Sequence, residues 1–489
     1  MLERPAIPFA YAKAHGVAVA SARGDTLSVY VREGAKPAVL GELRRTLSRP
    51  IAATLLSPER FDAALAELYG EGDAGLDLAE ELGQDADLSR LVQELPKIED
   101  LLESKDDAPI IRMINAILVR ALKDGASDVH FEPYETRSVT RLRIDGTLRD
   151  VMEINRALHA AIVSRIKIMA QLDIAEKRLP QDGRISLRLA GKPIDVRVST
   201  LPTGHAERVV LRLLDKEAGR FDLASLGMSD AALATIRRLI AAPHGIVLVT
   251  GPTGSGKTTT LYAALGEVDT GTLNVMTVED PIEYNLEGIG QTQVNPRIDM
   301  TFARALRAIL RQDPDVVMIG EIRDVETAQI AIQASLTGHL VLATLHTNDA
   351  AGAVTRLVDM GIEPFLLSST LLGVVAQRLV RRLCVNCRLP QRPGAAEIEA
   401  MRLDPAPQSI FRAAGCAECN RTGYRGRTGI YELLRVDDET RRLIHDRAAE
   451  QALREHALRN GMQALRQDGM RWVGSGTSTL EEVLRVTRD

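Results

Sequence analysis

The spacing of hydrophobic positions along the chain changes several times, and each change marks an element. Ile110, Ile111, Ile114, Ile117, Leu118, Ala121 and Leu122 recur at three- and four-residue intervals, which predicts a helix over 108–123 that Gly125 terminates. The period then drops to two, predicting strands at 128–132, 138–144, 184–189 and 194–199. Alternation sets Arg141 and Arg143 on one sheet face and Leu142 and Ile144 on the other. These elements predict an arginine-rich α+β domain over 108–218. A helical stretch over 220–243 connects it to 244–380, where short unbroken apolar runs alternate with helical patterns. That reads as β-loop-α repeats with four core strands, an α/β arrangement. Residues 1–70 mix short apolar runs with turn signals and form a small front module. The expected domains are therefore 1–70, 71–107, 108–218, 219–380, 381–430 and 431–489.

The stretch from Gly70 to Asp107 breaks the pattern. It holds thirteen acids against Arg90, Lys97 and Lys105, a local charge of −10. Leu88, Leu91, Val92 and Leu95 keep helical spacing as far as Pro96. The segment reads as a flexible acidic linker with one amphipathic turn, or as a docking helix. Either way, it lets the front module move relative to the rest.

Composition narrows the function. A chain of 489 residues is too long for one core. Aromatic residues make up only 3%, which leaves little for base stacking, and the net charge of −5 argues against a nucleic-acid partner. No apolar run approaches the length of a membrane span, and Met1-Leu2-Glu3-Arg4-Pro5 lacks the basic-then-apolar order of a signal peptide. The chain is expected in the cytosol, meeting a membrane only through partners.

Chemistry enters after the apolar run 246–250. Gly251, Pro252, Thr253, Gly254, Ser255, Gly256, Lys257 and Thr258 form a complete phosphate-binding loop, followed by Thr259. Its glycines let backbone N–H groups close around a triphosphate. Lys257 supplies a point charge to the β- and γ-phosphates, and Thr258 a hydroxyl for Mg²⁺. The expected ligands are ATP and Mg²⁺. Three further segments end strands downstream. Glu321 follows the run 315–320 and is placed to hold Mg²⁺, directly or through water. Glu283, in Glu279-Asp280-Pro281-Ile282-Glu283, is placed to orient or deprotonate the attacking water, with Pro281 fixing the turn. His346 is placed to donate to the γ-phosphate. His339 follows Gly338, a helix stop, and either joins the site or caps carbonyls.

All four cysteines fall into Cys384-x-x-Cys387 and Cys416-x-x-Cys419, separated by 28 residues. Two such pairs in a reducing compartment predict a closed, structural Zn²⁺ site. Arg378, Arg381, Arg382, Arg421, Arg425 and Arg427 form a basic margin nearby, facing a partner, an anionic lipid or solvent.

Gly320-Glu321-Ile322-Arg323-Asp324, the segment 279–283 and histidines 339 and 346 resemble the secretion ATPases of type II secretion and type IV pili. The resemblance extends to Ala126-Ser127-Asp128-Val129-His130-Phe131-Glu132-Pro133, Arg143-Ile144-Asp145-Gly146 and Arg178-Leu179-Pro180-Gln181-Asp182-Gly183-Arg184. It covers roughly 105–489. The opening residues 8–17 are similar to the start of the type II secretion E component, and the short front module fits that component better than the pilus extension ATPase. The paired cysteines disfavour the retraction branch. The resemblance implies a RecA-like ATPase assembled as a homo-hexameric ring on the cytoplasmic face of a bacterial inner membrane. It implies platform partners, the cytoplasmic domain of the L component and the F component. It also implies that Arg197 and Arg212 reach the γ-phosphate on domain closure, and that Arg311 and Arg323 lie near the site. One departure is Ala206, where the family usually has glycine; a turn needing positive φ would be strained there. The function implied is a motor that hydrolyses ATP to assemble a pseudopilus and export proteins. The competing readings are a motor for pilus extension or DNA uptake, and a nucleotide-gated scaffold.

Overall fold

A computed structural model of the chain describes residues 108–189, 192–215, 222–402 and 407–488, together with 12, 15–23, 26–35, 38–47, 50–58, 60, 61 and 64. The expected acidic linker at 71–107 and most of the opening motif at 8–17 lie outside the described residues.

The chain divides into two compact units. In the N-terminal one, Val17–Arg23 pairs antiparallel with Thr26–Arg32, which runs parallel to Ile51–Leu56. A parallel pair needs a crossover, and the helix Ala38–Leu47 supplies it. Leu27, Val29 and Val31 alternate inward and bury with Val17, Val39, Leu43 and Phe61.

The larger unit contains two sheets. The first has six strands in the order Thr147–Asn155, Arg137–Ile144, Ala126–Pro133, Glu207–Asp215, Lys192–Pro202, Gln181–Leu189. The helices Ala108–Lys123 and Arg156–Met169 accompany it. Its central strand Ala126–Pro133 shows what alternation does here. Val129 and Phe131 are fully buried on one face, whereas Asp128, His130 and Glu132 share the other. Arginines from both neighbouring strands meet those polar groups. Arg212 donates to Asp128 at 2.9 Å, Arg208 to Glu132 at 2.6 Å, and Arg143 lies 3.7 Å from Asp128. His130 accepts from Arg208 through Nδ1 at 3.3 Å, and burial pushes its pKa down. The arginine-rich face is thus largely neutralised from within.

The second sheet has seven strands in the order Gly290–Gln293, Val275–Glu279, Val316–Ile319, Leu340–Leu345, Gly245–Thr250, Leu371–Leu383, Tyr424–Arg435. The first six run parallel and the last antiparallel. The four expected core strands are its centre, mostly apolar and nearly all buried because helices cover both faces. Two strands cross expected domain edges: Leu371–Leu383 passes through 380 and Tyr424–Arg435 through 430. The reason is that each serves two cores. Val374, Val375 and Leu434 bury in the ATPase sheet, whereas Val380 and Ile430 bury with Met470, Val473 and Val483 of the C-terminal helices. No helix among the described residues is long and apolar enough to cross a membrane.

Candidate nucleotide site and metal centre

The phosphate loop and the loops carrying Glu283, Glu321 and His346 each leave the C-terminal end of a parallel strand, the margin where open α/β sheets hold ligands. The phosphate loop follows Gly245–Thr250 and ends in the helix Lys257–Leu265, whose N-cap Gly256 has φ 89°. A Cβ on Gly256 would lie 2.8 Å from the Gln377 amide, and one on Gly251 2.5 Å from the Gln377 carbonyl. Both positions therefore need glycine for space as well as for φ. Lys257 Nζ donates to the carbonyls of Gly251, at 2.8 Å, and Pro252, at 3.1 Å. Burial pushes its pKa down to about 8, against the opposing pull of Glu321. Ser255 Oγ is buried and has no hydrogen-bond partner. Thr258 and Thr259 follow on the first helical turn, with Thr258 exposed. A cradle that side chains would fill, a desolvated ammonium and an unsatisfied hydroxyl suit a polyphosphate.

The other residues sort by what they touch. His346 Nε2 lies 3.3 Å from Glu321 Oε2. Arg323 pairs with Glu321 and lies 3.7 Å from Asp280, joining the loops after two adjacent strands. Glu283 pairs with Arg197, whose two guanidinium nitrogens sit 3.3 and 3.1 Å from its carboxylate oxygens. Arg197 also donates to the Ile282 carbonyl at 3.1 Å, so the α+β domain grips the Glu283 loop directly. The Asp280–Pro281 peptide within that loop is cis.

Other arginines and histidines point elsewhere. Arg212 is the cross-strand neighbour of Arg197, yet its guanidinium is engaged by Asp128. Arg311 donates to the Arg307 carbonyl behind it at 2.8 Å. His339 Nδ1 lies 2.8 Å from the Ala334 carbonyl oxygen, so that nitrogen carries the proton and caps the preceding helix. The basic margin is partly internal. Arg378 donates to Asn348 and Arg381 to the buried Glu482, while Arg425 meets Glu418 at the surface. A cavity of about 290 Å³ lined by Arg378, Arg381, Arg427 and Arg485 opens beside Pro252–Ser255. Ala206 adopts no positive φ, and its carbonyl accepts from the Thr203 N–H at 3.0 Å, so the turn carries no glycine-specific strain.

Sequence reasoning missed two supporting residues. Gln377, 2% exposed, accepts from Thr260 at 2.7 Å and walls the phosphate loop. A lone amide in the apolar run Val374-Val375-Ala376 was the available signal. Tyr262 joins the phosphate-loop helix to the Glu283 loop through its hydroxyl, and nothing in its helical context announced it.

The four cysteine sulfurs lie within 4.8 Å of one another. Cys384–Cys416 and Cys387–Cys419 separations are 3.8 Å, and Cys416–Cys419 is 3.7 Å. A tetrahedron with Zn–S bonds near 2.3 Å has edges of about 3.8 Å, so the donor set fits Zn²⁺. Burial opposes ionisation of Cys419, but N–H groups of Cys416 and Gly423 overcome it and hold its thiol down at about 6.

A parallel sheet with a phosphate loop and acidic groups at one margin, joined to a four-cysteine metal site, defines a RecA-like P-loop ATPase with a zinc-type subdomain. A family model described as "Type II/IV secretion system protein" matches residues 103–485, and one for a domain of "GSPII protein E" matches 6–69. The chain belongs to the type II secretion protein E family of secretion ATPases. It is 59% identical over 484 residues to the type II secretion system protein HxcR of Pseudomonas aeruginosa, covering 99% of both chains. It is 56% identical over 468 residues to the type II secretion system ATPase E of Vibrio cholerae, covering 94% of this chain and 92% of that one. The crystal structure of the pilus retraction motor PilT with bound ADP is similar at 27% identity and a TM-score of 0.53, covering 77% of this chain and 97% of that one. The Legionella pneumophila ATPase DotB shares the fold, with a TM-score of 0.58 at 21% identity, covering 78% of this chain and 97% of that one.

Proposed function

We infer that this ATPase converts hydrolysis at the margin described above into movement of its α+β domain, and that the movement drives pseudopilus assembly and protein export. The contact of Arg197 with Glu283 supports this most directly, because it ties an arginine of one domain to the carboxylate that would activate water in the other. Gly251 to Thr259 hold the triphosphate, with Lys257 on its β- and γ-oxygens. Thr258 and Glu321 hold Mg²⁺, which neutralises charge on the phosphoryl group when bound. Glu283 orients or deprotonates the attacking water. His346, held by Glu321, donates to the γ-phosphate. Arg197 and, once released from Asp128, Arg212 stabilise charge during transfer; groups of this kind contribute roughly 10³–10⁵ in rate. Cys384, Cys387, Cys416 and Cys419 hold a structural zinc.

The working form is a homo-hexameric ring on the cytoplasmic face of the inner membrane. It is recruited through residues 1–70 by the L component's cytoplasmic domain, and it acts on the F component. The test is a pair of variants in an export assay. Lys257→Ala is expected to lose nucleotide binding. Glu321→Gln is expected to bind ATP normally while turnover and export stop. Export that survives in a chain unable to hydrolyse ATP would replace the motor with a nucleotide-gated scaffold.

A further inference from the structure

Glu283 sits on a loop whose backbone is held residue by residue. Arg197 donates to the Ile282 carbonyl, and the Glu283 N–H donates to the Tyr262 hydroxyl at 3.2 Å. Gln291 Nε2 donates to the Tyr284 carbonyl at 3.0 Å, and Gln291 Oε1 accepts from the Leu286 N–H at 2.7 Å. Behind the loop, these partners share one carboxylate. Glu279, 2% exposed, accepts from the Tyr262 hydroxyl on one oxygen, and from Gln291 at 3.0 Å and Thr277 on the other. The Tyr284 ring packs edge-on against Tyr262, with centroids 5.6 Å apart.

Tyr262 lies on the helix that begins at Lys257. The same helix that receives the triphosphate thus sets the height of the Glu283 backbone. A phenol suits this position because it donates and accepts at once. Its O–H satisfies the buried Glu279, which leaves its lone pairs for the Glu283 N–H. Burial and then Glu279 push the phenol's pKa up, keeping it neutral and able to donate.

We propose that Tyr262, fixed by Glu279 and Gln291, is a positioning residue that holds the Glu283 loop at a set distance from the phosphate loop. This rests on the reading of Glu283 as the group that activates water. A buried network with every member satisfied is stiff, and displacing a reacting group by about 1 Å costs on the order of 10²-fold in rate.

The test uses the full chain with Mg²⁺, measuring steady-state ATPase activity alongside affinity for a fluorescent ATP analogue. Tyr262→Phe removes one oxygen and keeps the ring. Its kcat should fall about 10- to 100-fold while analogue affinity stays within about twofold. Gln291→Leu, on an edge strand, should move the same way by about 3- to 10-fold, and serves if the first variant folds poorly. In a Glu283→Asp background, whose carboxylate is already withdrawn, the Tyr262→Phe loss should shrink to about threefold or less.

An unchanged kcat in both single variants, beside an inactive Glu283→Gln, would overturn the positioning role and leave Glu283 catalytic. Affinity falling in step with kcat would assign Tyr262 to the phosphate loop instead. A full loss persisting in the Glu283→Asp background would show that it acts elsewhere. Normal turnover by Glu283→Gln would remove the catalytic reading of Glu283, and this inference with it.

Discussion

The six-stranded sheet of the α+β domain carries charge across a whole face, whereas the four central strands of the ATPase core carry it at their C-terminal ends. The first balances its arginines against Asp128, Glu132 and Asp150, so most are held by neighbours on the same sheet. The second buries Val247, Leu248, Val317, Leu342 and their like on both faces, and keeps Glu283, Glu321 and His346 for the loops at its strand ends. Charge spread over a face makes a stable surface that rearranges only by exchanging partners. Charge gathered at an edge makes a site. Arg197 joins them at the site, since its partner lies on the other domain, and Asp145 joins them a second time through Arg427.

The sharpest way to probe this contrast is to remove the two cross-strand arginines separately. Arg197→Ala should lower kcat about 10²- to 10³-fold, and Arg212→Ala should lower it less, because Arg212 must first leave Asp128. Equal losses would mean that Arg212 is released on nucleotide binding at little cost.

The metal centre gives the next largest effect. Elemental analysis should find one zinc per chain, from the four sulfurs that fit it. Cys387→Ser should remove the metal and lower Tm by about 5 °C or more. Zinc-free protein with four reactive thiols and unchanged Tm would discard the site.

A smaller effect follows from the edge alone. The Lys257 ammonium, held down at about 8 by burial, loses its proton as pH rises through that value. A phosphate favours the charged form, so KM for ATP should rise by up to about tenfold per unit above pH 8, while kcat changes less. A flat KM from pH 7 to 9.5 would contradict this. The smallest effect belongs to the face. Asp128→Asn leaves Arg143 and Arg212 without a shared carboxylate and should cost about 1–2 kcal/mol, read from denaturant midpoints.

Much of the core could be read from sequence because its signals are local. The strands hold unbroken apolar runs at 246–249 and 316–319, and the phosphate loop and cysteine pairs have fixed spacing. The expected strands at 128–132 and 138–144 emerge as Ala126–Pro133 and Arg137–Ile144, since alternation reports a sheet with one apolar face. What escaped was non-local. The run 371–383 carries Gln377, Arg378, Arg381 and Arg382, which reads as a margin until pairing with Tyr424–Arg435 extends it as a strand that buries Gln377, Val380 and Leu383. Likewise, the role of Tyr262 depends on Glu279 and Gln291, brought to it only by the packing of helix on sheet. Self-neutralisation of the arginine face also needed register, because Asp128 meets Arg143 on one side and Arg212 on the other.

The central claim is that loops from four strand ends, with Arg197 from the other domain, act together on a terminal phosphoryl group. A crystal structure with Mg²⁺ and a slowly hydrolysed ATP analogue tests it most directly. The account predicts the triphosphate seated on Lys257, with Glu283, Glu321 and His346 turned toward its terminal phosphate and Arg197 close by. A triphosphate on Lys257 from which all three side chains turn away, in every protomer captured, would contradict it.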